Sequence, residues 1–442
     1  MSIMLIGFAV LLFIIIVVRM PIALAMGIVG FFGFAVMMGL GWDNLSSFRW
    51  TGVLSMAANR VADTVQNYSL SIIPLFILMG NLVMRSGLSH ELYNASNAFL
   101  GHRKGGLAMA TVVACGGFSA ISGSSLATSA TMARVAMPSM RKYGYSDSLA
   151  SATIAAGGTL GILIPPSVIL VVYGLLTETS IRELFAAGLV PGIMGIFLYM
   201  AAVRWVVWRD PSAGPAGDKM PWKERFIALK GVIGILSLFV LVMGGIYLGV
   251  FTPTEAAGIG AGGAFLIALL RKSLTWTNLF ETLSDTARTT AMLFVVIIGA
   301  LIFSDFVNRA GLPGFLLEFV TSMDVAPIVV ILAIMGIYLL LGMIFESLAM
   351  MLLTIPIFYP VVASLGYDLV WFGIAVVIAI EISLITPPVG MNVFVLSAVI
   401  RDIKTGTIFK GVTPFWVVDI IRLLLVLFIA QITLFLPQLL YR

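Results

Sequence analysis

A chain of 442 residues that is 60% hydrophobic and 10% charged, with a mean hydropathy of +1.11, cannot clothe a soluble surface. The expected class is an all-α polytopic membrane protein, because the apolar runs are continuous rather than alternating, which excludes a β-barrel. The charge of +5 and pI near 9.3 fit basic cytoplasmic loops and not nucleic-acid binding, and the single Cys115 excludes an internal disulfide or a cysteine metal cluster.

In chain order, the first apolar window covers residues 3–18 and lacks a basic segment before it, so it is expected to stay as a span. Windows follow at 22–40, 70–84, 105–120, 123–137, 146–175 (broken at Pro165-Pro166) and 184–203. The second half has windows at 231–249, 254–270, 291–306, 328–343, 348–363, 369–396 (broken at Pro387-Pro388) and 412–436. Segments 42–69 and 273–289 are too polar to span. They are expected as interfacial amphipathic helices, with Trp42, Trp50 and Trp276 at headgroup depth. Three parts are predicted: a first repeat at 1–203, a basic cytoplasmic linker at 204–230 and a second repeat at 231–442. The linker carries Arg204, Arg209, Lys219, Lys223, Arg225 and Lys230. With 105–137 and 328–363 as re-entrant hairpins and both chain ends outside, Arg49, Arg60, Arg182, Arg309 and Arg442 alone of the 25 Lys and Arg fall outside.

The halves echo each other. Gly144-Tyr145 precedes Pro165-Pro166 by the same spacing as Gly366-Tyr367 precedes Pro387-Pro388, and Pro138 and Pro360 share that offset. An odd number of crossings in each half would invert the second repeat. Inverted repeats with broken helices are the mark of secondary transporters that bind at the repeat interface near the midplane.

Two constellations follow. The first joins the Gly/Ser tract around Ser122, Gly123, Ser124 and Ser125 to Thr159, Gly161, Pro165 and Ser167. The second joins Gly342, Glu346 and Ser347 to Thr386, Pro387, Gly390 and Asn392. Paired prolines remove N–H donors and free upstream carbonyls. With hydroxyls, those carbonyls make a weakly charged oxygen cage suited to Na⁺. Two pseudo-symmetric Na⁺ sites are expected, with substrate between them and Ser167, Glu381 and Asn392 as its candidate contacts. Three roles stay open for Glu346: Na⁺ ligand, helix cap or proton carrier. Glu255 is expected to cap a helix, Asp305 to be interfacial, Arg134 to snorkel, and Asp419 to pair with Arg422 at i,i+3.

The chain resembles the large membrane subunit, DctM type, of tripartite ATP-independent periplasmic (TRAP) transporters. The resemblance rests on residues 117–131, Gly157-Gly158-Thr159 through Pro165-Pro166-Ser167, Phe251-Thr252-Pro253-Thr254-Glu255-Ala256-Ala257, and Thr386-Pro387-Pro388-Val389-Gly390. It implies an elevator-type transporter in a bacterial inner membrane, with Na⁺-coupled uptake of an organic acid. It also implies a small four-helix membrane partner (DctQ type) and a periplasmic substrate-binding protein (DctP type). Sialic acid, a C4-dicarboxylate or another sugar acid stay open as substrate. A stand-alone divalent-anion:sodium symporter is the alternative reading. No enzyme is expected: the spans offer no histidine, aspartate pair or metal-ligand spacing, and no phosphate-binding loop occurs.

Overall fold

The computed structural model describes residues 2–38, 47–322 and 325–441, and among these residues the secondary structure is helical, without strands. The first half runs α1 (Ser2–Ile16), α2 (Ile22–Met37), α3 (Ser47–Gln66), α4 (Ile72–Arg85) and α5 (Leu88–Leu100). It continues through α6 (Gly106–Ser122), α7 (Ser125–Lys142), α8 (Asp147–Thr159), α9 (Val168–Thr177) and α10 (Ile181–Arg209). The second half has α11 (Trp222–Tyr247), α12 (Pro253–Leu270), α13 (Trp276–Arg309), α14 (Leu312–Ser322) and α15 (Pro327–Gly342). It ends with α16 (Ser347–Ser364), α17 (Leu369–Ser383), α18 (Met391–Val399), α19 (Thr405–Phe428) and α20 (Gln431–Tyr441). Seven helical stretches among the described residues are long and apolar enough to cross a membrane.

Local chemistry sets the helix starts. Ser124, Ser146, Ser167, Ser180, Thr275 and Asp368 each cap a helix by accepting a backbone N–H. Thr252 and Glu255 form a capping box ahead of α12, with Pro253 in its first turn, so Glu255 caps as the sequence suggests. The helices α6 and α7 pack as a hairpin that turns at Gly123-Ser124, and α15 and α16 pack as a second that turns near Phe345-Glu346.

Burial places the broken helices at the centre. Every residue of α17 from Val370 to Ser383 is buried, as is α8 from Leu149 to Thr159. Around them α2 packs on α13 and α4 on α12; α8 packs on α19 and α17 on α10; α7 packs on α18 and α16 on α9. The residues of the linker that lie between α10 and α11 strap the base of the first hairpin. Gly105 N–H donates to Gly214 O (2.8 Å), Gly217 N–H to Gly101 O (2.9 Å) and Ser146 N–H to Ala213 O (3.0 Å).

Some expectations need correction. The segment 273–289 is not a separate interfacial helix. It is the first part of the 34-residue α13, because no proline or glycine interrupts the chain until Gly299. The polar stretch around His90 is helical, as α5, and α14 was not foreseen. The window 412–436 divides into α19 and α20 at Ile429-Ala430. Beyond these corrections, Asp305 takes a bidentate pair from Arg60 across α3 and α13 (2.6 and 2.7 Å), a partner that its position near a span end does not announce. Trp42 lies outside the described residues.

Candidate functional site

Both hairpin turns face one cavity of about 800 Å³. Ser122, Gly123, Ser124 and Ser125 line it from the first hairpin, and Glu346 and Ser347 line it from the second. The helices behind them add Asn81, Thr289 and apolar walls from Ile22, Leu24, Met84 and Met292. Ile162, Val168, Leu384 and Met391, beside the two Pro-Pro breaks, complete it. Residues far apart in sequence are thus brought together at one place, between the turns of the two hairpins.

The first constellation is tightly assembled. Gly123 sits at φ +58°, and a Cβ there would stand 3.1 Å from Pro166 O. A Cβ on Gly161 would stand 2.8 Å from Ser124 O, so only glycine lets the hairpin turn touch the break. The Ser122 and Thr128 hydroxyls are hydrogen-bonded at 2.7 Å, and Ser124 Oγ accepts Ala127 N–H at 3.4 Å. The buried Ser129 Oγ lies against Gly158 of α8 and has no hydrogen-bond partner. An orphan hydroxyl beside freed backbone is a fitting oxygen donor for a cation. Ser129 belongs to the same hydroxyl-rich tract as Thr128 and Thr131, and the sequence does not separate its role from theirs. The Thr159 hydroxyl turns away from the hairpin: it donates to Ala156 O (2.8 Å) and meets Tyr199 Oη (3.0 Å). Only the backbone of Thr159 remains for an ion.

The second constellation is more open. Pro165 and Pro166 are buried, whereas Pro387 and Pro388 are exposed; both Pro-Pro bonds are cis. Gly342 packs against Ser383 Oγ. Thr386 Oγ1 reaches Ser383 O at 3.4 Å, and Gly390 sits at φ +58° with no side-chain cap for α18. Glu346 faces the cavity and caps α16: one carboxylate oxygen accepts from Leu348 N–H (3.0 Å) and Ala349 N–H (3.2 Å). A carboxylate at a helix N-terminus is favoured by the helix dipole.

None of the three residues assigned to substrate lines the cavity. Ser167 is spent on capping α9, accepting from Leu170 N–H (3.3 Å) and donating to Ile162 O (2.5 Å). Asn392 is fully buried and donates to Ala155 O of α8 (3.1 Å), tying the two broken helices together. Glu381 is fully buried and paired with Arg422, which also lies 2.9 Å from Asp419 Oδ1. Asp419 and Arg422 therefore pair as their spacing suggests, but with Glu381 and Tyr199 as further members. Sequence spacing gives no signal for those two, which come from other helices. Asn81 and Thr289 on the cavity wall were also missed, because isolated polar residues in apolar helices carry no motif.

Residues 9–432 match the family model described as "Tripartite ATP-independent periplasmic transporter, DctM component". The C4-dicarboxylate TRAP transporter large permease protein DctM of Pseudomonas aeruginosa is 35% identical over 382 residues, covering 86% of this chain and 89% of that protein. The sialic acid TRAP transporter large permease protein SiaM of Vibrio cholerae is 35% identical over 391 residues (88% and 90% covered). The ectoine TRAP transporter large permease protein TeaC of Halomonas elongata is 32% identical over 415 residues (93% and 96%). Among solved structures, the Alcanivorax borkumensis YdaH transporter superposes with a TM-score of 0.65 at 15% identity, covering 87% of this chain and 89% of that one. At that identity the likeness concerns the fold alone.

Proposed function

This chain belongs to the DctM family of tripartite ATP-independent periplasmic transporters, and we propose that it is the large transmembrane subunit of a Na⁺-coupled organic-acid importer. The observation that carries the reading is the shared cavity: both hairpin turns line it, together with residues that flank both Pro-Pro breaks. Substrate binds there, between the turns. Asn81, Ser124, Thr289 and Ser347 are the polar groups that would meet it, in place of Ser167, Glu381 and Asn392. No Lys, Arg or His lines the cavity among the described residues, so the substrate's negative charge is offset by Na⁺ and by the starts of α7 and α16. One Na⁺ is assigned to the Ser122–Ser125 turn with Ser129 and the Thr159, Gly161 and Pro165 backbone. A second is assigned to Gly342, Glu346 and Ser347 with Thr386, Pro387 and Gly390.

The two halves, 1–203 and 231–442, act as inverted repeats joined by 204–230. The packing supports this: α2 on α13 has its counterpart in α12 on α4, and α8 on α19 in α17 on α10. The hairpins and broken helices form the moving body, and α2, α4, α12 and α13 the frame, as an elevator requires. The relatives named for C4-dicarboxylates, sialic acid and ectoine share a tripartite design. Here a small membrane subunit and a periplasmic binding protein are proposed as partners, in the inner membrane.

The test is reconstitution in proteoliposomes with a candidate small subunit and binding protein. Uptake of a labelled organic acid should need an inward Na⁺ gradient and all three components. Uptake by this chain alone, or uptake indifferent to Na⁺, would sink the reading.

A further inference from the structure

Where α8, α10, α17 and α19 meet, Thr159, Tyr199, Glu381, Asp419 and Arg422 are fully buried and do not line the cavity between the hairpin turns. Arg422 bonds Glu381 and stands beside Asp419; Tyr199 is hydrogen-bonded to Asp419 and touches Thr159; Thr159 bonds Ala156 O. The neighbouring α6, α9, α15, α16, α18 and α20 contain no Asp, Glu, Lys or Arg and bring only Cys115, Tyr173, Tyr338, Tyr359 and Tyr441 as titratable groups; on α11, which touches α10, Lys223, Glu224 and Lys230 are exposed and Arg225 bonds Met220 O beside Phe99 and Trp222. On α7, Arg134, Arg141 and Lys142 are exposed. The cluster is therefore one guanidinium against two carboxylates, with no other charge to balance them.

Counting hydrogens locates the missing positive charge. Ala156 O can only accept, so the single Thr159 hydroxyl hydrogen is committed to it. The Thr159–Tyr199 contact, at 3.0 Å, must then be filled by the Tyr199 hydrogen. That leaves the Tyr199–Asp419 contact without a hydrogen unless Asp419 supplies one. An ionised Asp419 gives three contacts and two hydrogens; a protonated one gives three and three. Charge requires that one of the two carboxylates be neutral, since one guanidinium balances only one of them, and the hydrogen count selects Asp419. A metal cation does not fit. The space beside Gly195 is filled by the guanidinium, to the point that a Cβ there would stand 2.1 Å from Arg422 Nη1.

We propose that Asp419 is a resident proton site: its carboxylic acid donates to Tyr199, which donates to Thr159, which donates to the Ala156 carbonyl. The proton is taken from water as the chain folds and stays there. The chain of hydrogen bonds ends on α8 at the last turn before the Leu160–Ile162 and Pro165-Pro166 break, so it fixes the helix end that meets the Ser124 turn.

Infrared spectroscopy of the full-length purified chain at neutral pH tests this, because a protonated carboxyl has a C=O stretch separate from the amide bands. Wild type and Glu346→Gln should both show the band, and saturating Na⁺ should leave it in place. Asp419→Asn should lose it. Glu381→Gln should lose it too, because Asp419 then ionises to pair with Arg422. Tyr199→Phe should keep the band at a shifted frequency, since the acid has lost its acceptor. A wild type without the band, a band surviving in Asp419→Asn, a band displaced by Na⁺, or an unshifted band in Tyr199→Phe would each overturn the proposal. Should Asp419→Asn not fold, the wild-type and Tyr199→Phe spectra decide it.

Discussion

At the residue scale, the chain concentrates its electrostatic risk in one place. Arg422 is the cation paired with the buried Glu381 carboxylate and stands beside the Asp419 acid, so Arg422→Gln leaves Glu381 buried and unpaired. Breaking a buried pair by removing one partner costs about 3–5 kcal/mol, and the expected outcome is a much lower unfolding midpoint in detergent. Gly195→Ala acts on the same group from the other side. Its Cβ would collide with Arg422 Nη1, and overpacking of this kind costs about 1–3 kcal/mol. Combining the two substitutions should then cost less than the sum, because the collision disappears with the guanidinium; additive losses would show that Gly195 matters for another reason. The sequence disclosed part of this cluster. Asp419 and Arg422 share a helix face three positions apart, which any helical reading finds. Glu381 and Tyr199 reach the cluster from helices 41 and 220 positions away, and no local pattern encodes that meeting. Ser167 and Asn392 misled for a related reason. A polar residue beside a helix break looks free to bind, yet backbone claims it first: Ser167 is taken by Ile162 O and Leu170 N–H at its own break, and Asn392 by Ala155 O of α8.

At the element scale, each hairpin's second arm starts from a capping side chain that also faces the cavity: Ser124 for α7 and Glu346 for α16. Ser124→Ala should therefore lower stability by about 1 kcal/mol through the lost cap and separately weaken Na⁺ dependence of uptake. Ser124→Asn restores a capping acceptor without the hydroxyl. It should recover the stability and not the Na⁺ dependence; recovery of both would assign Ser124 to capping alone. Thr386→Val, which removes no cap, should weaken Na⁺ dependence without the stability loss. The loop between α5 and α6 carries a different dependence. The His102 imidazole is held below its usual value, first by burial and then by the charges of Arg225, Arg103 and Lys219. The unfolded chain then takes up this proton first as the pH falls, so the contribution of His102 is present above the unfolded value of 6.5 and is lost as the pH drops below it. The unfolding midpoint of wild type should fall more between about pH 7.5 and 5.5 than that of His102→Gln; equal slopes would remove His102 as the cause. Hairpins and breaks were legible because Gly, Ser and Pro-Pro leave marks in apolar sequence. The join that makes α13 continuous was not, since an amphipathic stretch running into an apolar one has the composition of two helices and the backbone of one.

At the scale of the whole molecule, the contact between α4 and the first hairpin is narrow at Gly80. A Cβ there would stand 3.2 Å from both Ile121 O and Ser122 O, so backbone meets backbone where α4 and the first hairpin face each other. The same helix holds to α13 by polar bonds: Asn81 to Thr286 (3.0 Å), and Arg85 to Glu281 (2.7 Å) and Asp285 (3.0 Å). If α6 to α9 move as a body, they slide past Gly80 while Asn81 and Arg85 stay with α13. A disulfide between Gly80→Cys and Ser122→Cys would pin the hairpin to the frame in the arrangement seen here, and the native Cys115 is buried away from reagents. Reduced, the double variant should transport at the rate of Gly80→Ala combined with Ser122→Cys, which carries the same Cβ and lacks the same hydroxyl. Oxidised, it should lose uptake while still binding Na⁺, and reductant should restore the rate. Full uptake from quantitatively cross-linked protein would mean that the hairpin and α4 never part, and the elevator reading would fall while the family and the cavity stood.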